Sequence, residues 1–316
     1  MSTGFFSPPD CKLHEMGNWH PECPARLQAI EDQLIASRID QFLEYRDAAP
    51  ATLTMLATVH SPAAIALVVD NVPAESEGAE RHYPLDPDTL LNAFSLKAAL
   101  SAAGAALAAT DAVIAGELDN AFCAIRPPGH HATPLAPMGF CLFNNVAIAV
   151  RHALDVHGLQ RIAVIDFDVH HGNGTHEAFR DEPRVLMASF FQENLYPFCS
   201  DTGSRPGLHN MVNVGVPAFS AGAAVRQAVL DKWIPALHAH APQMIFISAG
   251  FDAHREDDLG QMGLVEADYA WLTRQIMDIA KQYAGGRIVS CLEGGYNLSA
   301  LGRSVVAHLK ALAELD

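Results

Sequence analysis

The sequence predicts an α/β protein: one domain built on a mainly parallel sheet with helices on both faces. Three observations carry that reading. Short apolar runs alternate along the chain with segments of helical hydrophobic period, the pattern of repeated strand and helix units. From Arg126 onward, each cluster of chemistry-bearing polar residues follows an apolar run, and open α/β sheets hold their sites beyond the carboxyl ends of the strands. Neither a break in composition nor an internal repeat divides the 316 residues, a length that suits a single domain over residues 1–316.

Pro24 opens a helix over Ala25–Ser37, where Leu27, Ile30, Leu34 and Ile35 keep the helical period. Ala51–His60 and Pro62–Val69 read as a short helix, or as a strand followed by a helix. Asn71–Asp88 is the most polar stretch and reads as a surface loop, from which Asp86 or Asp88 could approach a ligand. Leu90–Ile114 reads as one long helix or two adjoining ones, and Phe122–Ile125 as a strand stopped by Pro127 and Pro128. After it come a helix over Val146–His157, a central strand over Ile162–Phe167, helical residues near Glu177–Arg180 and a strand over Val185–Phe190. Strands over Met211–Val216, Met244–Ser248 and Arg287–Leu292 then alternate with helices over Ala221–His238, Asp268–Tyr283 and Leu298–Leu312.

Composition narrows the function. Half of the residues are apolar, enough for a large core, and the net charge is −16 with no cluster of Lys and Arg, which excludes a nucleic-acid-binding surface. Cys11, Cys23, Cys123, Cys141, Cys199 and Cys291 show no CxxC spacing and read as free thiols of a reducing compartment. The opening MSTGFFSPPDCK lacks the basic and apolar regions of a secretory signal, so a cytoplasmic location is expected. Ala98–Gly116, interrupted by Ser101, Thr110 and Asp111, reads as a buried helix and not a membrane span. Neither nucleic acid nor membrane is an expected partner, and a homo-oligomer stays open.

The central strand carries the strongest chemical signal. Asp166, Asp168 and His170 are spaced by two, so in an extended run they share one face while Phe167 and Val169 point to the other. Two carboxylates and an imidazole at a strand end have the character of a metal site. Asp168 and His170 are the candidate ligands, with Asp252 as the best third and His254 as its rival. Such a set suits a divalent ion such as zinc, one per chain, with positions open to water and substrate. His130 and His131, behind the Pro127-Pro128-Gly129 turn, are the available proton acceptor and donor. Asp166 could bond His130 or hold a monovalent cation, and Asn173 could orient His131. Tyr296, after Gly294 and Gly295, could donate to a developing oxyanion.

Five blocks then resemble, in order, the signatures of the zinc-dependent histone deacetylase superfamily: RPPGHH (126–131), GFCLFNN (139–145), DFDVHHGNGT (166–175), SAGFDA (248–253) and LEGGYN (292–297). HPECPARL (20–27) fits the same pattern, and DVHHGNGT resembles the class II branch and its bacterial histone deacetylase-like relatives. The resemblance implies the arginase/deacetylase fold, three layers around a central eight-stranded parallel sheet. It implies Asp168, His170 and Asp252 as zinc ligands, His131 as general base and acid, and His130 as its charge-stabilising companion. Asp166 becomes the partner of His130 and Tyr296 the oxyanion donor. A potassium site is implied at Asp166, the Ser189 hydroxyl and the backbone oxygens of Asp168, His170 and Phe190. A narrow substrate tunnel is implied between Phe140 and Tyr196.

The implied reaction is hydrolysis of an N-acetyl amide to acetate and a primary amine. Its expected substrate is acetyl-lysine in a peptide or protein, with an acetylated polyamine or other small acetylated amine as the alternative. Polyamine-selective members carry a glutamate where this chain has Leu259, which favours lysine. Asp257 and Asp258 lie beside Leu259, however, and the chain departs from the common pattern after Ser189, where Glu193 stands in an altered loop.

Overall fold

Residues of β6 (Ile162–Asp166, IAVID) are buried without exception, as a strand covered on both faces requires. In the computed structural model, which describes residues 1–77, 81–199 and 202–315, this strand lies inside an eight-stranded parallel sheet. Its other members are β1 (Thr3–Phe6), β2 (Leu43–Arg46), β5 (Asn120–Cys123), β7 (Val185–Gln192), β8 (Met211–Val216), β9 (Met244–Ala249) and β10 (Ile288–Leu292). Two short strands, β3 (Tyr83–Pro84) and β4 (Leu90–Leu91), form a separate antiparallel ribbon. The spatial order in the sheet is β2-β1-β5-β10-β9-β6-β7-β8.

Helix α10 (Leu298–Leu312) packs on both α1 (Ala25–Ser37) and α9 (Glu266–Ile279), and α4 (Ser95–Ala115) packs on α5 (Asn145–Asp155). The main core lies between helices and sheet, and a smaller one forms where α2 (Leu53–Leu56) and α3 (Pro62–Val69) meet α4 and α5. Helix α4 is long and apolar enough to cross a membrane, and 67% of its most apolar window is buried inside the protein. Ala102, Ala105, Ala106 and Ala109 of that helix are fully buried, so its apolar length serves close packing.

Six of the eight strands fall where the apolar runs predict them. The other two were unmarked. β1 is four residues long and follows only two others, and β2 exposes Glu44, Tyr45 and Arg46, so neither shows an apolar run. The ambiguous stretch 51–69 forms two short helices, each started by a side-chain cap: Thr52 for α2 and Ser61 for α3. The helix expected from Leu90 begins only at Ser95, because Leu90 and Leu91 pair with the 83–84 strand and the Asn92 side chain turns the backbone by accepting from Phe94 N–H. The helical residues expected near Glu177–Arg180 belong to α6 (Asn173–Phe179), and the helix expected over Ala221–His238 runs without a break through α7 (Gly222–Ala228), a π-helical stretch at Val229–Trp233 and α8 (Ile234–His240). Part of the polar loop Asn71–Asp88, residues 78–80, lies outside the described residues.

One arrangement matters most for function. The four central strands, β5, β10, β9 and β6, are neighbours, and the chain segments after them carry His130 and His131, Glu293 to Tyr296, Asp252, and Asp166 to His170 respectively. All these residues therefore leave the same edge of the sheet.

Candidate active site and metal centre

Asp166 ends β6, and the chain then turns, so the two-residue spacing works through local bonds and not through a continued strand. Asp166 Oδ1 accepts from Asp168 N–H at 3.1 Å, and Asp168 Oδ1 accepts from His170 N–H at 2.9 Å. Each acid thus holds the backbone two residues on, the habit of Asp at turns. Phe167 points the other way, its ring 5.7 Å from Phe251 and 5.8 Å from His308.

Donor atoms of Asp168, His170 and Asp252 lie within 4.8 Å of one another, and all three residues are buried. His170 Nδ1 is 2.9 Å from Asp168 Oδ1 and 3.2 Å from Asp252 Oδ2. Backbone N–H groups take other lone pairs: Gly294 donates to Asp168 Oδ2 and Val169 to Asp252 Oδ1, each at 2.9 Å. Asp252 Oδ2 alone has no well-aligned hydrogen bond. A Cβ at Gly294 would fall on both carboxylates, so the acids fill space that only a glycine leaves free. Two carboxylates buried side by side need a cation. Without one, burial and the charge of Asp168 push the Asp252 carboxyl up to about 7, and contact with the two acids outweighs burial to raise His170 to about 10. Zinc fits this donor set, since it takes imidazole and carboxylate ligands and leaves a position open in catalytic sites. His254 is not in the cluster: its Nε2 lies 3.6 Å from Glu266 and its Nδ1 accepts from Glu256 N–H.

Beside the acids stand the two histidines, ring centroids 4.0 Å apart. His130 Nδ1 is 3.0 Å from Asp166 Oδ2, and its Nε2 is 3.8 Å from Asp168 Oδ2. Burial acts to lower its pKa, but Asp168 and Asp166 win and hold it well above the usual histidine range. His131 has the opposite balance: burial and the neighbouring His130 and His170 hold it well below that range. Its Nδ1 lies 2.7 Å from Asn173 Oδ1, and the Asn173 amide nitrogen faces Met138 Sδ at 3.4 Å. The oxygen must accept, so Nδ1 of His131 carries the proton and Nε2 keeps a lone pair.

A cavity of about 210 Å³ is lined by His131, His170, Tyr296, Gly139, Phe140, Tyr196, Leu195, Leu259 and Asp88. It brings the expected tunnel residues Phe140, Tyr196 and Leu259 to one space. The Tyr296 ring meets Phe140 edge-on at 5.8 Å and lies under the Arg26 guanidinium at 5.0 Å. Burial and the charge of Asp252 hold the phenol well above its usual range, so it stays protonated. Phe140 adopts φ +66°, and its N–H is tied to Thr89 Oγ1 at 3.0 Å. Of the two loop acids, Asp88 reaches the cavity, while Asp86 Oδ1 accepts from the N–H groups of Asp88 and Thr89.

Ser189 lies opposite Asp166 in the β6–β7 register, and its hydroxyl donates to Asn213 Oδ1 at 2.8 Å. Phe190 is buried next to it. Glu193 is exposed and does not line the cavity. Asp257 is engaged by backbone: it accepts from the N–H groups of Tyr296, Asn297 and Leu259 at 2.6, 2.9 and 3.0 Å.

Two positioning groups, Glu293 in the LEGGYN block and Glu22 in HPECPARL, are not marked by spacing or residue type alone. Glu293 is wholly buried and accepts from the N–H groups of Gly129 and His130 at 2.7 and 3.1 Å and from the Ser248 hydroxyl at 3.1 Å. It shapes the turn that presents the histidines. Glu22 is also wholly buried; it pairs with Arg126 and, at 3.1 Å, with Arg26. Only the HPECPARL block hints at it.

The family described as "Histone deacetylase domain" matches residues 20–312. The chain is 39% identical to Arabidopsis thaliana "Histone deacetylase 14, chloroplastic" over 311 residues, covering 94% of this chain and 74% of that one. It is 37% identical to the Pseudomonas aeruginosa "Histone deacetylase-like amidohydrolase" over 284 residues, 88% of this chain and 73% of that one. The solved HDA15 HD domain superposes with a TM-score of 0.89 at 32% identity, covering 99% of this chain and 88% of that one, and so bears out the α/β deacetylase fold expected from the sequence. The chain belongs to the histone deacetylase family.

Proposed function

We propose that this protein is a zinc-dependent deacetylase that hydrolyses the acetyl amide of lysine side chains. The observation that carries the reading is the cavity itself. Phe140, Tyr196, Leu195 and Leu259 line it together with His131, His170 and Tyr296. Such a slot suits a methylene chain with an amide at its tip. Held by Asp168, His170 and Asp252, zinc would supply Lewis-acid polarisation of the amide carbonyl and of an attacking water. The chain supplies the rest. Neutral His131 takes the water proton at Nε2, and Asn173 holds its ring in the required tautomer. The Tyr296 phenol donates to the oxyanion as the carbonyl carbon becomes tetrahedral. His131 then returns the proton to the departing amine nitrogen as the C–N bond breaks, leaving acetate and a primary amine. Protonated His130, anchored on Asp166, keeps positive charge beside the developing anion.

Under the same reading, Asp166, the Ser189 hydroxyl and the backbone oxygens of Asp168, His170 and Phe190 would hold potassium, which would offset the buried charge of Asp166. The protein acts in the cytoplasm on soluble acetylated partners. A small acetylated amine such as acetylputrescine is the second reading, favoured by one observation: Asp88 brings an acid to the cavity wall. Leu259 opposes it, and neither Glu193 nor Asp257 is free in the cavity to hold a distal ammonium. Steady-state turnover of the zinc-loaded protein on an acetyl-lysine peptide and on acetylputrescine tests the choice, with Tyr296→Phe as control. Preference for the peptide, reduced roughly 10²–10³-fold in kcat by the control, is expected. Preference for the diamine would overturn the lysine reading and assign Asp88 to the ammonium.

A further inference from the structure

Away from the cavity, a second group of metal-ligating side chains converges. Asp111 lies in the last turns of α4, His152 in the last turn of α5, and His157 just beyond that helix. His152 Nε2 is 2.7 Å and His157 Nε2 2.6 Å from the same oxygen, Asp111 Oδ1. The two rings stand 5.1 Å apart at 80°, so their nitrogens reach that oxygen from different directions and the rings do not stack. The donor atoms of all three residues lie within 4.8 Å of one another.

From this geometry we infer a peripheral site for a divalent transition metal, zinc first among them, bound by Asp111, His152 and His157. Two imidazoles and one carboxylate are ligands of that class, and four residues between the histidines fall within the spacing of histidine pairs in zinc sites. Zinc bonds near 2.0–2.2 Å would set neighbouring donors of a tetrahedron about 3.3 Å apart. The donors need to open by only a fraction of an ångström to admit the ion. Side-chain exposure of 16%, 25% and 54% for His152, His157 and Asp111 leaves the fourth position to water. Partial burial pushes the Asp111 carboxyl up, but the bonds from His157 and His152 outweigh it and hold it below its usual range, so the ligand is ionised at neutral pH.

The site would clamp the end of α5 to α4. At the other end of α5, the Asn144 side chain donates to Ala132 O at 3.4 Å and that of Asn145 to Pro127 O at 3.1 Å, on either side of the two catalytic histidines. One helix therefore links the clamp to the turn that presents them. The ion acts there as a staple that stabilises the folded state by mass action.

The test uses the full chain with its catalytic metal loaded, and reads the difference between wild type and His152→Gln, His157→Gln and Asp111→Asn. Equilibrium dialysis against micromolar zinc, with metal counted by mass spectrometry, is expected to give the wild type one equivalent more than each variant. Thermal unfolding should show an added-zinc rise in Tm of about 3 °C or more in the wild type, absent from the variants. Cobalt should give the wild type an additional visible d–d band that the variants lack. Because only the increment is read, the result does not depend on the activity proposed above. Equal metal content and equal zinc response in wild type and all three variants would overturn the site and leave Asp111 as a shared hydrogen-bond acceptor.

Discussion

Asn173 faces His131 where a carboxylate would make the imidazole a stronger base. An acid at that position would stabilise the imidazolium, so His131 would stay protonated to higher pH. In Asn173→Asp, the acid limb of kcat/KM against pH is expected to move up by about one unit, read from a pH–rate profile on an acetyl-lysine peptide. Glu293 makes a different point. Its carboxylate gathers two backbone N–H groups and a hydroxyl, so Glu293→Ala leaves three buried donors without it and should cost on the order of 1–3 kcal/mol for each that stays unpaired, read by denaturant titration, with a fall in kcat larger than any change in KM. The Asn173 contact could be foreseen from its place in the DFDVHHGNGT block beside the candidate ligands, although His131 lies 42 residues away. Glu293 could not, because no spacing rule aims a carboxylate at the backbone N–H groups of Gly129 and His130 and at the Ser248 hydroxyl.

Elements were legible to the degree that they are long, apolar or capped. Helix α10 and strand β6 declare themselves by period and burial, while β1 and β2 at the sheet's margin exist through pairing with each other and with β5. The segment between β1 and α1 is fastened by Glu22, whose carboxylate lies between Arg126 and Arg26, all wholly buried. Arg126 also donates to Cys11 O and His14 O at 3.0 Å, tying the segment before α1 to the strand-end turn. Arg126→Leu strands Glu22 in the interior without its main counter-charge. Such a truncation typically costs about 3–5 kcal/mol, to be checked by urea unfolding. Removing both charges, as Arg126→Leu with Glu22→Gln, should recover part of the loss, since the unpaired charge is what destabilises.

At the scale of the whole molecule, the folded state refuses protons at several histidines. Burial holds His14 and His308 down to about 3 and His60 to about 4, against 6.5 when exposed. His308 is kept by Thr273 and Ser290 hydroxyls at 2.7 and 3.0 Å. Because the folded pKa lies below the unfolded one, their stabilising contribution is present above pH 6.5 and is lost as pH falls towards 3–4. By pH 5 each should have lost about 2 kcal/mol. Between pH 7 and pH 5 the wild type is therefore expected to lose stability relative to His308→Gln, read as a narrowing of the Tm gap between the two proteins. The chemistry of the site was readable from sequence because its ligands sit in short blocks. Its assembly was readable in outline, since Asp252 was named as the third ligand beside Asp168 and His170, but the order of strands that makes the four blocks neighbours carries no signal in the sequence.

That order has a kinetic consequence. β5, β10, β9 and β6 each have a hydrogen-bonded neighbour on both sides, and the frayable margins, β2 and β8, carry none of the catalytic groups. Transient opening spreads inward from the edges of a sheet more readily than from its middle. The slowest-exchanging amides should therefore be those of the four central strands. In hydrogen exchange followed by mass spectrometry, deuterium uptake in β6 and β9 should lag far behind uptake in β2, so the scaffold under the catalytic groups outlasts local opening at the margins.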